Sequence, residues 1–362
     1  MSVSAARVGR WLSGLAILLL VPQAAAQPPG EAIEEFALRK NLAIAAPAVM
    51  RPYAEAAAQY FVARRQFPVP AIDYQTATNA FARFCKGIGV EYPDVVVAPR
   101  RISRNEFRVC GEQGVSEIVE VAVGHEVLVL AARQGALPFN ATAETLYRAL
   151  ALEVPRDGVF YTNAARRWTD VDAKLPDTEI QVALPPGGSG LRHLFDDRAM
   201  EGGCRYVPEI RAIYGAGDRV RKCIAAREDG RISESGTAEA MTNFLNSMPP
   251  GALAVVPRRV HDSLMPTSPL LPFEGVLPTQ QSVESGEYLL SRKIYFYFKV
   301  GHMHGRKGYG VTRGLREFLL DTASEQAVDP GGFFERLGLM LLPPSDRARQ
   351  RLEALMQRPM SR

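Results

Sequence analysis

The sequence predicts an α/β fold in two lobes or domains, and three observations lead there. A chain of 362 residues with 47% apolar composition buries a sizeable core and exceeds the usual size of one unit. Stretches of helical and strand period alternate along it, the pattern of a sheet covered by helices. Third, the short alternating run Glu179–Leu184 leads through Pro185-Pro186-Gly187-Gly188-Ser189-Gly190 into a helix whose Leu191, Leu194 and Phe195 share a face.

That loop organises the chain. Ser189 falls near the helix N-cap, where its hydroxyl accepts from a free backbone N–H. Glycines 187, 188 and 190 allow a sharp turn and leave amide protons uncovered. Strand, small-residue loop and helix start together suit an anion; a plain capped connection is the alternative. Sharper chemistries fail on spacing. A nucleophile elbow needs glycine where Leu191 stands, no lysine follows as a Walker loop requires, and the dinucleotide spacing is absent.

Residues 1–26 read as a secretory signal: Arg7 and Arg10, a short apolar core from Trp11 to Val21, then Ala24-Ala25-Ala26. A flexible lead-in covers 27–41. Met50, Tyr53, Ala54, Ala57, Tyr60 and Phe61 then share a helix face, with Pro52 in its first turn. A second helix carries Phe81, Phe84 and Cys85, and a short strand runs through Val95-Val96-Val97. Glu117 to Ala132 reads as two strands broken at Gly124. Further helices fall at Ala143–Leu150, near Ala238–Leu245, at Gly314–Leu320 and at Asp346–Met356 (Leu352, Leu355, Met356). Strands fall at Ala252–Val256 and Arg292–Val300; in the latter, Tyr295 and Tyr297 read as edge-strand surface. His302-x-His304 reads as an exposed tip, since Gly301 and Gly305 mark a loop and no acid lies nearby in sequence.

The formal charge of +4 falls to +2 when the two signal arginines are removed, which argues against nucleic acid as the main partner. Cys85, Cys110, Cys204 and Cys223 form two local pairs. An even count in an exported chain favours disulfides, with the shortest loops giving Cys85–Cys110 and Cys204–Cys223, and no Cys-x-x-Cys spacing supports zinc.

Several runs resemble the periplasmic phosphate-binding protein of bacterial phosphate ABC importers, a type II solute-binding protein family. Leu175-Pro176-Asp177, the following strand, Gly188-Ser189-Gly190 and Phe195, with Trp168 upstream, resemble its Leu-Pro … Ser-Gly-Thr … Phe passage. Phe84-Cys85, Pro99-Arg100 and Glu106 resemble its Phe-Cys and Ala-Ser-Arg … Glu stretch. Gly275 to Thr279, Gly286 to Arg292 and Gly338-Leu339 resemble its Gly-x-x-Pro-Thr … Tyr-Pro-Leu-Ser-Arg … Gly-Leu signature. The likeness runs from about Leu42 to Pro343. It implies a two-lobed periplasmic binding protein fold, each lobe a mixed sheet flanked by helices with a ligand cleft between. Lobe 1 would take 42–132 and 286–345, lobe 2 would take 133–285, and a terminal helix 346–362. It also implies phosphate or a related oxyanion as ligand, an inner-membrane ABC permease as partner, a periplasmic monomer, no cofactor and no enzyme activity.

The departures matter as much. The family's first anion loop is Gly-Ser-Ser/Thr-Thr; here Ala46-Pro47-Ala48-Val49 lacks those hydroxyls, and Pro47 removes an amide donor. Pro99 replaces a serine, Leu191 a threonine and Pro185 an arginine. The expected ligand set is therefore Ser189, the Gly190 amide, Arg100 and Thr78. A fold that has lost its ligand and serves as an interaction or sensory protein is the alternative. His193 is the nearest base for Ser189, but four residues along a helix it points away from the loop, with no acid to orient it.

Overall fold

The longest strand, the fifteen residues Ile118–Ala132, is buried at every position except Glu120. A near-continuous apolar run of this kind forms only where both faces of a strand are covered. This strand is the spine of the computed structural model, which describes residues 39–205, 207–303 and 312–361. The expected signal, nearly all of the lead-in and His304 lie outside the described residues.

The strands in chain order are β1 Ala43–Ala46, β2 Ala71–Tyr74, β3 Val95–Ala98, β4 Ile118–Ala132, β5 Glu153–Arg156, β6 Val159–Thr162, β7 Val182–Leu184, β8 Ile232–Glu234, β9 Leu253–Pro257, β10 Leu270–Leu271 and β11 Ser291–Lys299. The main sheet runs β2-β1-β3-β11-β4-β9-β7-β8, with β10 also on β4. Its β1–β2, β1–β3, β7–β8 and β7–β9 pairs are parallel, whereas β11 and β9 run antiparallel to β4. The first part of β4 pairs with β11, and its last five residues, Leu128 to Ala132, pair with β9.

One strand thus serves two cores. One core gathers residues between Leu42 and Val123 with residues between Ile294 and Ala354. The other gathers residues from Val127 to Leu290. A third cluster, including Phe81, Phe84, Val96 and Tyr297, covers the opposite face of the first lobe's sheet. The molecule is a mixed α/β protein whose curled sheet is flanked by helices, as the sequence predicts.

Three expectations are corrected. Gly124 does not break the strand. It forms a bulge, where the register against β11 skips from Gly124 at Ile294 to Ala122 at Tyr295. Its φ of 147° suits glycine, and an added Cβ would stand 2.9 Å from the Met340 carbonyl oxygen. Tyr297 is not edge surface, because β11 lies in mid-sheet between β3 and β4. Its hydroxyl is buried, donating to Glu120 at 2.9 Å and accepting from the Ile102 amide at 2.9 Å. His302 is not an exposed tip. Fully buried, it bonds through Nδ1 at 2.6 Å to Asp94, an acid far away in sequence. Asp94 also accepts from Arg39 at 2.5 Å, Thr312 at 3.0 Å and the Ala43 amide at 2.7 Å.

Both disulfides form as paired from the sequence, Cys85–Cys110 and Cys204–Cys223. Each closes a loop within one of the two lobes.

Lys299, at the end of β11, is fully buried and donates to the Gly87 carbonyl at 2.6 Å, over the Phe84 ring. Burial pushes its ammonium down to about 7, against the pull of Asp94. An amine whose folded pKa lies below its unfolded value binds fewer protons when folded, so stability climbs between those two values and is flat below both. Chemical denaturation from pH 7 to 10 is expected to show stability rising with pH, and Lys299→Met is expected to remove that rise.

Candidate functional site

The Gly-rich loop turns as its sequence demands. Gly188 adopts φ 75°, and the chain enters the helix Gly190–Phe195 at Ser189, whose hydroxyl accepts from the Arg192 amide at 3.1 Å. Carboxylates already engage this loop. The Gly187 amide donates to Glu234 at 3.1 Å, and Glu234 pairs at 2.5 Å with the buried Arg192, which also holds Asp196 at 2.8 Å. The Gly187 amide and Arg192 hold Glu234 below the usual carboxylate range, whereas burial raises Asp196.

The helix start abuts the other lobe. An added Cβ on Gly190 would meet the Val49 carbonyl oxygen at 2.9 Å, so only glycine permits this approach. Val49 lies in the 3-10 turn Ala48–Met50 that follows Pro47 and opens the helix Arg51–Arg65. Behind the contact lies a buried charged chain. Arg292 on β11 donates through Nε to Glu126 on β4 at 2.5 Å and through Nη2 to the Gly190 carbonyl at 2.9 Å. Tyr53, from the helix Arg51–Arg65, donates to the other Glu126 oxygen at 2.8 Å. Burial, then the Glu126 charge, raises the Tyr53 phenol well above its ordinary value.

Ser189 and Gly190 are thus placed together with Arg292. Arg100 makes a bidentate pair with Glu106 at 2.7 and 2.8 Å and lies over the Phe81 ring. Against the opposing effect of burial, Arg100 and the Ser103 amide hold Glu106 below its ordinary pKa. Thr78 is exposed in the first turn of the helix Ala77–Phe84, which also carries Phe81; Thr76 caps that helix by accepting from the Asn79 amide. Among the described residues, no hydrogen bond or ion pair links Arg100 or Thr78 to the Ser189 loop. His193 is exposed, as expected from its place on the helix.

Sequence reasoning missed the role of Arg292, although it lies in one of the quoted runs. Its signal is period two. Arg292 falls in step with Ile294, Phe296 and Phe298 on the buried side of β11, where a charge needs a partner. Glu126, in an apolar run, is that partner.

A family model described as a PBP superfamily domain matches residues 34–321, four-fifths of the chain. The chain belongs to the PBP superfamily. Within it, the chain is 25% identical over 171 residues to a phosphate-binding protein PstS from Staphylococcus saprophyticus. That match takes in 47% of this chain and 46% of the relative, so the chain spans about half the length of the curated relative it matches. In fold, it resembles a possible phosphate binding protein from Planctomyces limnophilus, with a TM-score of 0.64 and 19% identity over 88% of this chain and 98% of the other. PstS from Borrelia burgdorferi superimposes with a TM-score of 0.55 and 14% identity, over 84% of this chain and all of the other. An ABC-type phosphate transport receptor from Vibrio cholerae gives 0.52 and 16% over the same shares. For this PBP superfamily member, these likenesses establish the two-lobed type II fold.

Arg292 and Glu126 are both buried, so removing one leaves the other charge unpaired. Arg292→Ala is expected to cost about 3–5 kcal/mol in urea denaturation. Arg292→Met combined with Glu126→Leu is expected to recover most of that loss.

Proposed function

We propose that this chain is an exported, non-enzymatic solute-binding protein of an ABC-type importer, holding phosphate or a related oxyanion between its lobes. The observation that carries the reading is the meeting of the Ser189–Gly190 helix start with Arg292 at the lobe junction. Ser189 keeps a hydroxyl proton to donate while its oxygen caps the helix, and amides of the first turn point the same way. Arg292 supplies one guanidinium whose charge Glu126 balances, so the site is electrically neutral before ligand arrives. Such a site selects an oxyanion by the geometry of its donors rather than by net charge.

Arg100 and Thr78 belong to the same proposal as groups a ligand recruits, Arg100 by exchanging Glu106 for the anion. The names of the similar proteins, which mention phosphate binding and ABC-type transport, support the ligand class and a permease partner. The signal-like N-terminus supports a periplasmic location, and we extend the proposal to a monomer with the lobe limits set out from the sequence.

Thermal-shift titration with phosphate, sulfate and a phosphonate tests this. A saturable rise in Tm with at least one anion is expected, with Ser189→Ala weakening the apparent affinity about tenfold, as for a lost hydrogen bond to a charged group. Absence of any shift up to millimolar anion would overturn the reading and leave a fold that has outlived its ligand.

A further inference from the structure

The helices Glu201–Cys204, Pro208–Arg211 and Ala216–Ile224 border a cavity of about 430 Å³ beside the second core. Helical period explains one wall. Ala216, Arg219, Val220 and Cys223, at i, i+3, i+4 and i+7, share a face of the last helix, and all four line the cavity. Cys223 is bridged to Cys204, which fixes the first of these helices against the last. The buried Ile210 joins Val220 as apolar surface within the cavity.

The charges around that surface are unbalanced. Arg205, Arg211 and Arg219 line the cavity against Glu201 alone, a formal +2. Glu201 lies 3.6 Å from Arg205. Arg219 is oriented but not neutralised, because its Nη1 donates to the Ile213 carbonyl at 2.6 Å and to the Tyr214 carbonyl at 3.0 Å. The exposed Arg211 has no hydrogen bond or ion pair among the described residues. Neighbouring acids are engaged elsewhere, Asp218 with Arg221 and Glu209 with the Gly158 amide at 3.3 Å. At the Ser189 loop, by contrast, Arg192 and Arg292 each have a carboxylate. Two unmatched guanidinium groups beside apolar surface suit an anion with an apolar body, since their forks take the oxygens while Ile210 and Val220 take the body.

We propose that this cavity is a second binding site, taking a small organic molecule that carries an oxyanion group on an apolar body. The disulfide and the carbonyl-held Arg219 preset its shape, which spares the ligand much of the cost of ordering the site. Built wholly from residues 201–223, it stands whether or not the loop at Ser189 binds an oxyanion.

Calorimetric titration with phenyl phosphate tests it in the wild-type protein, in Ser189→Ala and in Ser189→Ala/Arg211→Gln. Arg211 makes no bond within the described fold, so its substitution is expected to leave Tm unchanged. The expected result is saturable binding that persists in Ser189→Ala and weakens about tenfold when Arg211→Gln is added, as for a lost hydrogen bond to a charged group. Inorganic phosphate, which lacks the apolar body, is expected to bind Ser189→Ala more weakly than phenyl phosphate does. Absence of saturable phenyl phosphate binding to the wild-type protein would overturn the proposal, as would binding to Ser189→Ala that Arg211→Gln leaves unchanged. Binding lost in Ser189→Ala alone would also overturn it, while supporting the Ser189 loop as the anion site.

Discussion

Two opposite charges buried side by side on neighbouring strands hold this molecule's centre. Glu126 and Arg292 lie on β4 and β11, the strands that carry the chain between its two cores, and neither is tolerable in that interior without the other. Because Glu126 also takes the Tyr53 hydroxyl and Arg292 also takes the Gly190 carbonyl, the pair ties a helix of one lobe to the helix start of the other. Relative motion of the lobes has to break or stretch the Arg292–Gly190 bond, whereas the bonds on the strands themselves can persist.

The electrostatics around the loop share one pattern: each arginine arrives with its own carboxylate. Arg292 has Glu126, and Arg192 has Asp196 and Glu234. Local neutrality of this kind lets charged groups remain in a low-dielectric junction, and under the proposed function an anion would compete with fixed carboxylates for the same donors. Where the resembling family places serines and threonines before its first helix, this chain places Ala46 to Val49, and the backbone there lies directly against Gly190.

The sequence made the secondary structure legible wherever period and punctuation agreed: the helix Ala143–Leu150, the strand Ser291–Lys299 and the cap at Ser189 all stand where spacing put them. It also paired the cysteines. Three features escaped because each depends on a partner distant in sequence. Gly124 looked like a break but is a bulge set by packing on Leu339 and Met340. His302 looked exposed because Asp94, its partner, is 208 positions away. The C-terminal helix showed its Leu352, Leu355 and Met356 spacing plainly, yet spacing cannot say whether a stripe faces core or water; Asp329, drawing in Arg347 and Arg351, decided the orientation. The charges of the candidate site were hidden for the same reason, since Arg292 acquires meaning only beside Glu126 and Gly190.

The strand order carries a consequence for assembly. The second core is built from one unbroken stretch, and both disulfides join cysteines that precede Ile224, so this lobe and both bridges can be complete while the rest of the chain is still being made. The first lobe has to wait. Its sheet has a gap between β3 and β4 that only β11 fills, and β11 begins at Ser291. Until that strand inserts, β3 and the first part of β4 expose unpaired edges rich in valine, surfaces that invite wrong pairing. Late arrival of a central strand makes the N-terminal lobe, though translated first, the last to close.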